Sequence, residues 1–378
     1  MNRDWNWKWI FLAGKWLLLA AVLIVLPAVV LALLGSGWLL GVLWGFFLLC
    51  LAFPPLLVVP LMVVVLPFFL IWCAPKAANE ELFDAIASGH VEEVNKQFSK
   101  RLLSSRANPN GVNKAGVTAL SFSVRKGNAA ITKVLLDNGA NVNAADGAGK
   151  TVLMSAVEMK NMNAVRLLLD KGADINASDG AGKTALMSAV EMKDMEAVNL
   201  LLDKGADIHA ADNGRETALL TAVRVGNVGA ARLLLDKGAD INAASGTGQA
   251  ALLLRALGGG SVEMVRLLLE HGADVNAADD KGVPALSLAL KNTDMLKLLL
   301  EKGANINAAD AQGQTPLVRA MKAKNVKAAS LLLELGANLD VARDGGELLA
   351  LAAKNNEMEL ARRLVNMGVD PQAATQGA

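Results

Sequence analysis

The sequence is most informative where residue types are missing. It contains no tyrosine, two cysteines and three histidines, and no aromatic residue follows Phe122. The two cysteines, Cys50 and Cys73, lie in apolar sequence, which is typical of small buried hydrophobic residues. No histidine has a second ligand at metal spacing, and no nucleophile is paired with a base. The sequence therefore predicts no enzyme, no catalytic residue, no metal and no cofactor.

Charge is absent from one long stretch, because residues 16–75 hold no Asp, Glu, Lys, Arg or His. About 20 apolar residues are enough to span a bilayer, so this stretch predicts two or three transmembrane helices. All seven tryptophans lie at or before Trp72, most of them near the predicted span ends, as interfacial anchors do. The predicted spans lie near Trp16–Leu34, Trp38–Phe53 and Leu56–Cys73.

The orientation of these spans depends on their number. Arg3, Lys8 and Lys15 precede the first span and favour a cytoplasmic N-terminus. Two spans would then return the rest of the chain to the cytoplasm, whereas three would place it on the opposite side. We expect an integral membrane protein whose C-terminal part is cytoplasmic.

Small residues recur at helical spacing within this block. Gly37, Gly41 and Gly45 form a stripe against which a second helix backbone can approach closely. Two interpretations stay open: the stripe packs against a neighbouring span of the same chain, or it supports self-association or attachment to a membrane partner.

Beyond the apolar block, the chain repeats itself. The segment Gly147–Ala177 returns as Gly180–Ala210, 33 positions later, with five differences. A fixed period of this size indicates small units that must stack to bury their apolar faces. Within each unit Thr151 predicts a helix N-cap, and Gly172 predicts the left-handed residue at a helix C-terminus. Each unit therefore reads as two helices followed by an extended turn, here called the finger.

These units resemble the ankyrin repeat. Thr315-Pro316-Leu317 keeps three residues of the family's Thr-Pro-Leu-His block, although the signature histidine is missing from every repeat. The Gly-Ala-Asp/Asn ending recurs at Gly139, Gly172, Gly205, Gly238, Gly272, Gly303 and Gly336. Together, the apolar stretch and this resemblance predict an all-α fold: two or three transmembrane helices, then an ankyrin-type helix-turn-helix solenoid of about eight to nine repeats including caps.

Composition and resemblance together predict four regions. These are a transmembrane anchor over 1–75, a linker with an N-terminal capping repeat over 76–112, seven ankyrin-like repeats over 113–341, and a C-terminal capping repeat with a tail over 342–378.

Two tempting activities are disfavoured. The GAGKT segments at Gly147–Thr151 and Gly180–Thr184 resemble part of a phosphate-binding loop, but they lack the first glycine and the preceding buried strand. Nucleic-acid binding is disfavoured because 37 Lys and Arg residues are balanced by 36 Asp and Glu residues.

What remains is a recognition surface for a protein partner of unknown identity. In the ankyrin family, contacts come mostly from finger tips and the exposed ends of the first helices. The resemblance therefore selects a set of candidate partner-binding residues, here called the central patch: Lys150, Glu158, Met159, Lys183, Glu191, Met192, Glu216 and Arg224. Leu257 occupies the same first-helix row and is expected to be exposed.

Three functional hypotheses follow. The preferred one is a membrane-anchored adaptor or scaffold that holds a protein partner near the bilayer. The second is a subunit of an oligomeric channel or transport assembly, with the array as a gating or assembly collar. The third is an inhibitory or immunity-type binder displayed at a membrane. In all three hypotheses the partner is another protein, and none of them involves binding of nucleic acid.

Overall fold

A computed structural model describes residues 79–99, 107–242 and 251–372 of the chain. The predicted transmembrane anchor over 1–75 and its glycine stripe, Gly37, Gly41 and Gly45, lie outside these residues. Within the described part, no helix is both long and apolar enough to cross a membrane. The predicted domain boundaries stay predictions.

The chain divides into two compact units. The first comprises residues 1–81 and 96–108, of which few are described; within it, the Asn108 N–H donates to Asn79 Oδ1 at 3.0 Å. The second comprises residues 82–95 and 109–378, and it contains the repeat array.

The described residues form nine consecutive helix pairs, and their helices are α-helical throughout except for one 3-10 turn. The bounds are α1 (79–88) and α2 (Val91–Ser99); α3 (Ala119–Arg125) and α4 (Ala129–Asp137); α5 (Val152–Glu158) and α6 (Met162–Asp170); α7 (Ala185–Glu191) and α8 (Met195–Asp203); α9 (Ala218–Val225) and α10 (Val228–Asp236); α11 (Ala251–Gly259) and α12 (Val262–Glu270); α13 (Ala285–Leu288, with a 3-10 turn over Ala289–Lys291) and α14 (Thr293–Glu301); α15 (Pro316–Lys322) and α16 (Val326–Glu334); α17 (Val341–Lys354) and α18 (Met358–Asn366). The prediction of an all-helical repeat array is confirmed for this part of the chain.

The first helices begin where the sequence predicts. The Thr151 side chain accepts a hydrogen bond from the Met154 N–H, which satisfies one of the free donors of the first turn. The same cap forms at Thr118, Thr184, Thr217 and Thr315. Most second helices are capped by Asn or Asp instead, as at Asn161, whose Oδ1 accepts from the Ala164 N–H; Ser261 caps α12. Local sequence thus sets both helix starts.

The core lies between the two layers of helices and between neighbouring repeats. Each first helix from α3 to α15 contacts the first helix of the next pair, and each second helix from α4 to α14 contacts the next second helix. Leu168 and Leu201, in the middle of the leucine runs, are fully buried. Burying such a side chain contributes about 2 kcal/mol, so apolar contact between neighbours is the main source of cohesion.

Hydrogen bonds across several of the inter-helix turns tie a repeat to the one before it. The Asn227 side chain donates to the Val190 carbonyl at 3.3 Å, and Asn325 donates to the Leu290 carbonyl at 2.6 Å. These asparagines also cap their own helices. The inter-helix turns therefore follow one another along one edge of the array.

The fingers stack by backbone hydrogen bonds. Five of the described fingers are closed by an isolated antiparallel bridge, such as Ala145 with Thr151. The Gly180 N–H donates to the Ala148 carbonyl at 2.8 Å, and the Asn213 N–H donates to the Ala181 carbonyl at 2.9 Å. Glycine is required here because Gly182 has φ +81° and a Cβ would lie 2.8 Å from the Asn213 nitrogen.

The structure corrects the position of Leu257. The repeat that contains α11 has one extra residue, and the Gly260 N–H bonds to the Leu257 carbonyl just as Gly226 bonds to Val223 in the preceding repeat. Leu257 therefore corresponds to Val223, and its side chain is buried with 8% exposure. The extra residue lies within α11 before Leu257 and rotates the following side chains around the helix axis. The expectation of an exposed Leu257 is therefore wrong.

The repeat that contains α13 departs most from the others. Pro284 stands at the threonine position and provides no side-chain cap, and the first helix finishes as the 3-10 turn over Ala289–Lys291. The Ser287 hydroxyl is buried there and has no hydrogen-bond partner in the described structure. A buried hydroxyl without a partner destabilises a fold.

We expect Ser287→Ala to stabilise the array by about 1 kcal/mol, because it removes the unsatisfied hydroxyl without leaving a large cavity. Ser123→Ala is the matched control: Ser123 is also buried, but its hydroxyl bonds to the Leu120 carbonyl and to Thr132. That change should instead destabilise. Urea unfolding followed by circular dichroism at fixed detergent measures both, and a loss of stability in Ser287→Ala would contradict the expectation.

Candidate binding surface

The eight residues of the central patch lie at equivalent positions in three successive repeats. Lys150, Lys183 and Glu216 each end a finger, immediately before the capping threonine. Glu158 and Glu191 end α5 and α7, and Arg224 lies in the last turn of α9. Met159 and Met192 are the C-cap residues of α5 and α7.

Within each repeat, the finger residue pairs with the helix residue eight positions later. Lys150 Nζ lies 2.8 Å from Glu158 Oε2, and Lys183 forms the same ion pair with Glu191. In the next repeat both signs are reversed, and Arg224 Nε lies 2.7 Å from Glu216 Oε1. Each pair lies along the first helix between the finger and the inter-helix turn.

One contact joins two of these pairs. Arg224 Nη2 lies 3.1 Å from Glu191 Oε1, so the charges alternate from Lys183 through Glu191 and Arg224 to Glu216. The hydrogen bond from Lys183 is the main cause that holds the pKa of Glu191 below its ordinary value; burial opposes it and Arg224 assists. The bond to Glu216 raises the pKa of Arg224, with Glu191 adding to the effect. Both shifts favour the charged forms of Glu191 and Arg224.

This pairing changes what the central patch can offer a partner. Its charges already satisfy one another, so a charged ligand would have to exchange existing ion pairs for new ones of similar strength. Met159 is the most accessible apolar side chain of the patch, with 49% exposure, whereas Met192 is half-buried. An exposed methionine beside satisfied charges suits adaptable apolar contact.

A second ladder of charges, which sequence reasoning missed, runs along the ends of the second helices. Lys171 lies 2.6 Å from Asp137, and Lys237 lies 3.1 Å from Asp203. The Lys171 hydrogen bond lowers the pKa of Asp137. The signal was present in the recurring Asp-Lys-Gly-Ala sequence, because the period places each lysine beside the aspartate of the preceding repeat. These pairs are exposed and link neighbouring repeats.

A third feature missed from the sequence is a buried carboxylate. The Asp310 side chain is completely buried, and Arg319 Nε lies 2.8 Å from its Oδ2. Oδ1 accepts hydrogen bonds from the Gln312 and Gln314 N–H groups, both at 2.9 Å. Burial alone would raise the pKa of Asp310, but these bonds together hold it below its ordinary value.

Comparison with known proteins agrees with this architecture. Family profiles described as ankyrin repeats in three copies match residues 82–179, 178–245 and 243–310, and a profile for ankyrin repeats in many copies matches residues 289–333. No curated protein matches the chain. Since the matched residues make up more than half of the sequence and the helix pairs follow the same period, the chain belongs to the ankyrin-repeat family.

Proposed function

We propose that this chain is a membrane-anchored ankyrin-repeat adaptor that holds a protein partner close to the bilayer, with the array on the cytoplasmic side. Ankyrin-repeat proteins are generally non-enzymatic binding modules, and the repeats make this one a scaffold for protein interaction. The observation that carries the membrane part is the stretch over residues 16–75 without Asp, Glu, Lys, Arg or His, which precedes the array in the same chain.

The array supports a role in contact over several repeats. The neighbouring repeats are joined by finger hydrogen bonds and by the asparagine contacts of the inter-helix turns, so side chains on successive first helices are held in a fixed row. No aromatic residue follows Phe122, and aromatic anchors dominate small tight interfaces. We therefore favour an extended contact, strengthened by clustering at the membrane. Self-association through Gly37, Gly41 and Gly45 belongs to the same proposal.

Two deletions test this proposal. After crosslinking in native membranes, the full chain should sediment with membranes and recover a protein partner. Removal of residues 16–75 should release the array into the soluble fraction, because the apolar anchor is gone. Removal of residues 76–378 should leave the remainder in the membrane but without the partner.

Protease treatment of sealed vesicles then reports which side carries the array. Equal recovery of the partner by the anchor alone would reject the adaptor role. A full chain that stays soluble without detergent would reject the anchor. Inside-out vesicles expose the cytoplasmic face of the membrane to the protease. Protection of the array from the protease in these vesicles would reject the cytoplasmic placement.

A further inference from the structure

The exposed row of the first helices changes character halfway along the array. In the repeats of the central patch, one position near the middle of the first helix is occupied by small buried hydroxyl residues, Ser155, Ser188 and Thr221. Hydrogen bonds at the inter-helix turns identify the equivalent positions further along. The residues at these positions are Arg255, Leu288, Arg319 and Leu351. Large side chains, basic and apolar in turn, therefore replace the small hydroxyl residues of the earlier repeats.

These later side chains are accessible. Arg255 is exposed, Leu288 has 41% exposure, and Arg319 and Leu351 are half-buried. Lys291 and Lys322, which end their first helices, are also exposed. We call Arg255, Leu288, Lys291, Arg319, Lys322 and Leu351 the basic row.

The basic row differs from the central patch in its charge. The first helices α11, α13 with its 3-10 turn, and α15 contain no Asp or Glu, whereas α5 and α7 each end in Glu. Among the described residues, Arg255, Lys291 and Lys322 form no ion pair, in contrast to the fully paired charges of the central patch. A partner can therefore neutralise them without breaking an existing contact, and that makes complementary charge favourable here.

Arg319 is a partial exception because its Nε is engaged by Asp310. That contact uses one edge of the guanidinium group and fixes the side chain on the row between Leu288 and Leu351. A guanidinium held in place loses less conformational entropy when it binds a carboxylate. Asp310 itself is buried and does not face a ligand on this surface.

Resting on the adaptor function proposed above, we propose that the basic row binds an extended acidic segment of a protein partner. The partner's apolar side chains would contact Leu288 and Leu351, and its carboxylates would pair with Arg255, Lys291 and Lys322. The alternation favours a peptide over nucleic acid. A phosphate backbone would use the basic groups but would place Leu288 against charge, and this part of the chain has no aromatic residue on which bases could stack.

Fluorescence anisotropy with the full chain in mild detergent tests the proposal. The probe is a labelled peptide of about 12 residues that repeats Gly-Glu-Leu-Glu. We expect it to bind, and to bind about tenfold more weakly to the double variant Arg255→Glu and Lys322→Glu. Raising the salt concentration from about 50 mM to about 500 mM should also weaken binding, since exposed charges are screened.

Matched controls locate the site. The double variant Arg266→Glu and Lys297→Glu makes the same charge change on α12 and α14, the second helices of two repeats that carry the basic row, and should bind the probe as the unmodified chain does. Leu288→Ser should weaken binding of the Glu-Leu peptide but not of a Gly-Glu-Ser-Glu peptide. Circular dichroism confirms that each variant is folded.

Four results would each overturn the proposal. These are unchanged affinity in the Arg255 and Lys322 variant, an equal loss in the Arg266 and Lys297 variant, equal binding of a peptide with Gln in place of Glu, and equal binding of an oligothymidylate of similar length. If a crosslinked partner still depends on residues 76–378 while the peptide does not bind, this inference fails and the adaptor function stands. If the peptide binds as expected but no partner depends on those residues, the adaptor function fails instead.

Discussion

Replacing Gly182 by alanine should destabilise the array by about 3 kcal/mol, the sum of a left-handed backbone cost and a steric cost. Gly182 has φ +81°, and an added Cβ would lie 2.8 Å from both the backbone nitrogen and the side-chain oxygen of Asn213 in the next finger. Because backbone atoms cannot move aside as a flexible side chain can, the two fingers would have to separate. Urea unfolding of the full chain, followed by circular dichroism, measures the change.

Gly313→Ala is the matched control for this prediction. Gly313 also has a positive φ, +73°, but no atom lies within 4 Å of an added Cβ. This variant should lose only the backbone term, about 1 kcal/mol. Equal losses in the two variants would show that contact between fingers adds nothing to stability. A clear difference measures how strongly successive fingers are coupled.

Replacing Arg319 by methionine should produce the largest fall in melting temperature among the ion-pair variants, roughly 5 °C or more, because it leaves the buried Asp310 carboxylate without its cation. Arg166→Met is the control, since Arg166 and Glu196 form a pair in which both side chains are more than half exposed. Exposed pairs contribute little, so that variant should melt close to the unmodified chain. Differential scanning calorimetry distinguishes the two.

The same pair predicts a dependence on pH. The pKa of Asp310 is lowered in the folded state, so its carboxylate contributes stability above the ordinary aspartate pKa, and this contribution is lost as the pH falls through the folded value. Below about pH 4 the unmodified chain should lose stability through this group. In Arg319→Met the pKa of Asp310 should rise towards or above its ordinary value, so the loss of stability on acidification through this group should be smaller than in the unmodified chain. Identical pH profiles in the two proteins would contradict this assignment.

The parts of the structure that sequence predicts well are those fixed by single residues. Thr151 caps its helix as expected, and Gly172 adopts φ +84° at the end of α6. Both depend on local chemistry, namely a hydroxyl near free N–H groups and a residue without Cβ. The helix pairs follow from the same signals and from the period. The eight residues of the central patch stay predicted partner contacts.

Features that depend on distance through the fold were harder to predict. The pairing of Lys150 with Glu158 joins a finger to the far end of a helix, and neither residue by itself predicts which side chain it contacts. Yet Lys183 and Glu191 repeat the pattern, and Glu216 with Arg224 reverses both signs together, so comparison between repeats contains the signal. Leu257 was misplaced because one extra residue shifts the register inside a helix, and that shift becomes visible only in the hydrogen bonds of the next turn.

Every link between repeats described above, from finger to finger and from asparagine to carbonyl, joins immediate neighbours. When the two ends of such an array are pulled apart, mechanical load passes through each of these links in turn. The repeat with Pro284 lacks a side-chain cap on its first helix and contains a buried Ser287 hydroxyl without a partner in the described structure, so we expect it to be the least stable repeat of that series. Under tension applied to its two ends, for example in a single-molecule force experiment, we expect the array to lengthen in discrete steps that start at this repeat.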